Sequence, residues 1–107
     1  MALLQEVSVS DFQNQVLSSS IPVIVEFGAQ WCAPCKRLEP LLEQLGAQWA
    51  GRVSIRHINV DEAAELAMQY QVMSVPTTIL FKGGQAVERL AGLQTKDRMI
   101  EKFLPHL

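Results

Sequence analysis

An α/β fold with a mixed central sheet and helices on both faces is predicted by three features of this 107-residue chain. Strand-like and helix-periodic segments alternate along its length. The β-branched run Val23-Ile24-Val25-Glu26-Phe27 reads as a buried central strand. Two closing runs joined by Lys82-Gly83-Gly84-Gln85 read as an antiparallel hairpin. Alternation of this kind lays helices over a sheet, and the hairpin makes part of that sheet antiparallel.

Leu4 to Val9 is apolar enough for a first strand, and Ser8 or Ser10 can cap a brief helix carrying Phe12, Val16 and Leu17, which Ser18-Ser19-Ser20 ends. Pro22 leads into the central strand. Leu38, Leu41, Leu42, Leu45 and Trp49 then recur at helical spacing, which predicts a long helix starting near Ala33 or Pro34. Pro34 suits a first turn, whereas Pro40 falls inside the helix and is expected to kink it. Val53–Val60 alternates as a strand. Asp61 is expected to cap a helix that turns Leu66, Ala67 and Tyr70 inward. Thr77–Phe81 and Ala86–Leu90 form the hairpin, and a last helix from about Thr95 places Met99, Ile100, Phe103, Leu104 and Leu107 on one side. The order is βαβαβαββα, with no linker, repeat or low-complexity segment, so residues 1–107 are expected to form one domain.

Nine basic and eleven acidic side chains give a net charge of −2, and no basic run exceeds two residues. Nucleic-acid binding has no electrostatic footprint in such a chain. No apolar stretch approaches the roughly 20 residues that span a bilayer, so no membrane association is expected. Met1-Ala2-Leu3-Leu4-Gln5-Glu6 lacks a basic segment and a small-residue cleavage site, and a cytoplasmic location is the default expectation.

The two cysteines of the chain, Cys32 and Cys35, lie in Trp31-Cys32-Ala33-Pro34-Cys35, between the central strand and the long helix. A C-x-x-C at a strand-to-helix junction reads as a dithiol/disulfide switch, because the pair closes easily and a helix start offers N–H groups and a positive dipole end to a thiolate. Ordinary buried thiols or half of a zinc site are the alternatives, although zinc requires about four ligands and the chain holds no second cysteine pair. Glu26 stands in an otherwise apolar strand, where a charge is expensive. It is either a buried carboxyl of raised pKa that exchanges a proton with Cys35 through water, or a carboxylate at a strand end, solvated or salt-bridged.

Four local signatures now stand in order: the Trp-Cys-x-Pro-Cys motif, the carboxylate on the strand before it, Val75-Pro76-Thr77, and the Gly83-Gly84 hairpin followed by Ala91-Gly92. Over essentially its whole length the chain resembles the thioredoxin family. The resemblance implies five strands flanked by four helices and a cis Val75–Pro76 bond facing the cysteines. It also implies a protein disulfide reductase. Cys32 would attack a target disulfide, and Cys35 would resolve the mixed disulfide. Trp31, Ala33, Pro34, Met73, Ser74, Val75, Pro76, Ala91 and Gly92 would form the shallow apolar surface met by target proteins, with the Val75 backbone open to an extended segment. Met73 suits varied partners by its flexibility, or is simply a loop residue. No cofactor or metal is expected. An NADPH-dependent flavoenzyme reductase, or a ferredoxin-linked one, would re-reduce the pair, and a monomer is expected. A non-catalytic binding subunit using the same surface is the reading from another class, and an oxidant or isomerase the other redox one.

Relatives commonly have Gly at the position of Ala33, Asp at that of Glu26, Trp at that of Gly28 and Lys at that of His57. His57 is a candidate partner for Glu26 across neighbouring strands and would bring a pH dependence near neutrality; the alternative is a histidine tucked against the helix. Gly28 leaves space where an indole is usual. Trp49 belongs to the core stripe, and His106, in the last helical turn, receives no role.

Overall fold

Period-2 side-chain alternation divides the interior into two layers on either side of a five-stranded sheet. The computed structural model describes residues 4–107; the reading of Met1 to Leu3 as no part of a leader lies outside them. The elements are β1 (Gln5–Glu6), α1 (Val9–Phe12), β2 (Val23–Gly28), α2 (Ala33–Gln48), β3 (Ser54–Asn59), α3 (Ala64–Gln69), β4 (Thr77–Lys82), β5 (Gln85–Ala91) and α4 (Lys96–Phe103). The strand order is β1-β3-β2-β4-β5. β1 and β2 run parallel to β3, whereas β2–β4 and β4–β5 are antiparallel, so the sheet is mixed.

Ile24 on β2, Ile55 on β3 and Leu80 on β4 face Leu38, Leu42 and Met99 of the α2–α4 layer. Val23, Val25 and Phe27 turn the other way, toward Phe12, Val16 and Leu66. In that second layer Phe12 and Tyr70 both meet the Phe81 ring edge-on, at centroid distances of 5.5 and 5.1 Å.

Several sequence expectations change in detail. The first strand is confined to Gln5 and Glu6 rather than Leu4–Val9; past it, Val7 N–H still donates to His57 O at 2.8 Å. Ser8 caps α1, accepting the Asp11 N–H, but the helix widens after one turn into a π segment, Gln13–Leu17, closed by Ser18 N–H on Gln13 O. As expected, Pro40 lies inside α2, which runs on to Gln48. Asp61 does not cap α3: the capping position is Ala63 and makes no side-chain bond. At the C-terminus α4 tightens into a 3₁₀ turn at Leu104–His106, which turns Leu104 out to solvent while Leu107 packs on the core.

Candidate active site

β2 delivers the chain to the helix start that carries the two cysteines. Cys32 occupies the N-cap of α2 in extended conformation, and its sulfur accepts the Cys35 N–H at 3.2 Å. A helix begins here because Pro34 in the first turn needs no N–H partner and the Cys32 sulfur stands in for the usual capping oxygen. Cys32 and Cys35 are joined in a disulfide, with their Cα atoms 5.3 Å apart. They differ in access: Cys35 is fully buried, whereas Cys32 retains 4% exposure at the protein surface. With the bond open, the same N–H and the helix dipole favour negative charge on Cys32.

Ala29 packs with both cysteines, and Val60 and Val75 close over them. The Val75–Pro76 bond is cis, and Pro76 is buried with its carbonyl receiving the Gly92 N–H at 2.7 Å. Gly92 has φ 82°, a left-handed conformation that suits glycine where the chain turns back from β5 to Pro76. Trp31 (70% exposed) and Met73 (91%) are large apolar side chains left open to solvent, in company with exposed Ala33 and Ser74 and half-buried Pro34. Trp31 is not loose, because its indole N–H donates to Asp61 Oδ2 at 2.9 Å. Asp61 is oriented in turn by its own N–H on Asn59 Oδ1. The sequence reading missed this anchor by spending Asp61 on a helix cap.

Beneath the cysteines lies a buried ionisable cluster. Glu26 is opposite His57 in the parallel β2–β3 register, so the pleat puts both side chains on the α2 side of the sheet. His57 Nδ1 is 2.6 Å from Glu26 Oε1, and Glu39 of α2 brings its Oε2 to 3.8 Å from the same nitrogen. Glu6 approaches the other ring nitrogen at 3.9 Å. Glu26, Glu39 and His57 are all buried. Glu39 escaped the sequence reading, although it follows Cys35 by four residues and so shares its helix face. One ligand atom from each of the three lies within 4.8 Å of the others. The 2.6 Å pair is nonetheless a hydrogen bond, closer than the roughly 3.3 Å expected of two donors arranged tetrahedrally around zinc.

Burial raises the Glu26 pKa above the usual carboxylate value, and the His57 bond and charge only partly oppose it. Burial pulls His57 down, but the hydrogen bond its ring donates to Glu26 and the charges of Glu26, Glu39 and Glu6 outweigh it, leaving His57 raised as well. Glu26 Oε2 is different from Oε1: it is buried and without a hydrogen-bond partner among the described residues. A Cβ built on Gly28 would touch both this oxygen and the Cys35 sulfur, so the two border one space.

A cysteine pair closed at a helix N-cap, one residue slightly exposed and the other fully buried with its sulfur bordering the same space as a buried carboxyl, is the site of a protein dithiol–disulfide oxidoreductase. Sequence comparison agrees: the thioredoxin family model matches residues 4–104. The chain belongs to the thioredoxin family. It is 36% identical over 107 residues to Thioredoxin 1 of Nostoc sp., covering the whole of both chains. To the thioredoxin of Synechocystis sp. it is 37% identical, over 97% of this chain and 100% of that one. To the bifunctional thioredoxin reductase/thioredoxin of Mycobacterium leprae it is 41% identical over 95 residues, 89% of this chain and 21% of the longer protein.

Proposed function

We propose that the chain reduces disulfides of target proteins and is re-reduced by a partner reductase. The observation that carries this reading is the asymmetry of the pair, with Cys32 slightly exposed and accepting a helix N–H and Cys35 fully buried with its sulfur bordering the same space as the Glu26 carboxyl. In the reduced protein the Cys32 thiolate attacks one sulfur of a target disulfide. A Cys32–target bond forms, the target S–S bond breaks, and the second target sulfur leaves as a thiolate that takes up a proton. Cys35 then gives its proton to the Glu26 carboxylate and attacks Cys32. The Cys32–Cys35 bond forms, the Cys32–target bond breaks, and the target leaves with both electrons. A carboxyl raised above the usual carboxylate value is a better proton acceptor for a thiol than an ordinary one.

Trp31, Ala33, Pro34, Met73, Ser74, Val75, Pro76 and Gly92 form the target-binding surface in this proposal. Val75 half-buries its side chain over the cysteines, and its backbone is offered to an extended target segment. A reductase partner is supported by the Mycobacterium leprae relative, whose name couples a thioredoxin to its reductase. The electron donor is an NADPH-dependent flavoenzyme or a ferredoxin-linked reductase, the protein acts as a monomer, and its working compartment is the cytoplasm. That location is in keeping with a chain whose two cysteines are both committed to the exchange pair. Reduction of insulin disulfides by the protein and by Cys32→Ser tests the proposal. Activity confined to the wild type supports it, and equal activity in both overturns it. Adding each reductase in turn identifies the donor.

A further inference from the structure

Glycine at position 28 is unexplained by the backbone. Gly51, Gly83, Gly84 and Gly92 adopt positive φ, but Gly28 does not. It sits in β2 opposite Asn59 of β3, in a conformation open to any residue. A glycine inside a strand costs about 0.5–1 kcal/mol relative to alanine, so its place in a fully buried strand calls for a spatial reason.

The space itself supplies one. A Cβ on residue 28 would fall within 3.0 Å of Glu26 Oε2, and 3.1 Å from both Glu26 Cδ and Cys35 Sγ. Residues 26 and 28 share a face of β2, because side chains alternate along a strand. One small volume is therefore bordered by the Glu26 carboxyl, the Cys35 sulfur and the bare Cα of residue 28. Oε1 is held from the other side by His57 at 2.6 Å, which aims Oε2, the oxygen without a partner, into this volume.

We propose that Gly28 is a positioning residue, whose missing side chain admits the Glu26 carboxyl to the space against Cys35, so that Glu26 and Gly28 operate as a matched pair. The proposal rests on the reading of Glu26 as the proton acceptor of Cys35 and explains how a glutamate fits there. An alanine at 28 meets the carboxyl directly and displaces it. An aspartate at 26 ends one methylene earlier and vacates the volume, so it tolerates a Cβ at 28. The other groups facing the Glu26 carboxyl are Cys35 and Glu39 from α2, His57 from β3 (with Glu6 of β1 on its far side) and Thr78 from β4, opposite Glu26 in the antiparallel register. None of these changes in the test.

Reaction of the reduced protein with a chromogenic aromatic disulfide separates the two steps. The first thiolate released reports Cys32 attack, and the second reports resolution by Cys35. Followed across pH, Gly28→Ala is expected to slow the second phase relative to the first by roughly tenfold or more and to displace its pH midpoint. Glu26→Asp with Gly28→Ala is expected to recover the profile of Glu26→Asp alone, so the two substitutions are strongly non-additive. A Gly28→Ala protein with an unchanged second phase and midpoint overturns the proposal, as does a double variant as slow as the product of its singles. Should Gly28→Ala fail to fold, recovery of folding in the double variant supports the steric match, and failure of both overturns it. Glu26→Gln isolates the underlying reading. If it leaves the second phase unaltered, proton transfer through Glu26 falls; if it slows that phase while Gly28→Ala does not, only the role of Gly28 falls.

Discussion

His57 Nδ1 meets Glu26 Oε1 at 2.6 Å inside the protein, where Glu26 is fully buried and His57 only 7% exposed. The same carboxyl borders the space beside the Cys35 sulfur, so in the proposed function this pair links the stability of the fold to the exchange chemistry.

Stability is expected to fall as pH rises. Glu26 is raised above its ordinary 4.5, by burial, and His57 above its ordinary 6.5, where its carboxylate neighbours outweigh burial. Both groups hold protons more tightly folded than unfolded, so the native state carries more protons than the unfolded chain. Their contribution is complete below the ordinary values and is lost as pH climbs through the folded ones. Urea midpoints of the oxidised protein, whose cysteines do not titrate, should decline from about pH 6 to about pH 9, and Glu26→Gln should flatten that decline. A midpoint that rises across this range would contradict the assignment.

Removing the imidazole should be costly while it carries charge. His57→Ala deletes the cation that the carboxylates of Glu26, Glu39 and Glu6 hold protonated above its ordinary range, which should destabilise the protein by about 3–5 kcal/mol at about pH 6. The loss should shrink as pH climbs through the folded His57 midpoint, where the wild-type imidazole gives up its charge as well. His57→Lys restores a cation but replaces a titrating group with one that stays charged, and its pH–rate profile should differ from that of the wild type near neutrality. Identical profiles would remove His57 from the tuning of the site.

Glu39 raises both of its neighbours through its charge. Glu39→Gln keeps the side-chain shape and removes that charge, so the titration midpoints of Glu26 and His57 should both move down. NMR titration of the His57 ring and the Glu26 carboxyl reads this directly. Unmoved midpoints would mean that Glu39 does not act on the pair.

In the proposed function Trp31 contacts the target, and one hydrogen bond holds it in place. Trp31→Phe removes the bond to Asp61 but not the fold, so unfolding free energy should change by no more than about 1 kcal/mol. For protein targets KM should rise roughly 3- to 10-fold with kcat little altered, because a smaller and unanchored ring offers less contact area. A drop in kcat at constant KM would assign the indole to the chemistry instead.

The parts of the fold and site written in contiguous sequence were legible from it. Cys32, Cys35 and the helix start between them are one local signal, whereas the Glu26–His57 pairing was one of two readings of a histidine on the neighbouring strand, and the β2–β3 register decides between them. Glu39 was not legible because an acidic residue on a helix ordinarily faces solvent; only the packed sheet shows that it falls on the buried stripe. The role of Asp61 depended on where the Trp31 ring lands, a contact across 30 residues. The π segment after Phe12 and the two-residue β1 are set by packing and pairing rather than by propensity. Gly28 was visible as a gap, but its consequence for Glu26 required the geometry of three side chains at once.

The central claim is the division of labour between the two sulfurs, and trapping measures it most directly. Reduced Cys35→Ser and Cys32→Ser proteins are each mixed with a disulfide-containing target and analysed by intact mass. A persistent covalent adduct through Cys32 in Cys35→Ser, and none in Cys32→Ser, is the predicted result. Adducts of equal yield in both variants would contradict it.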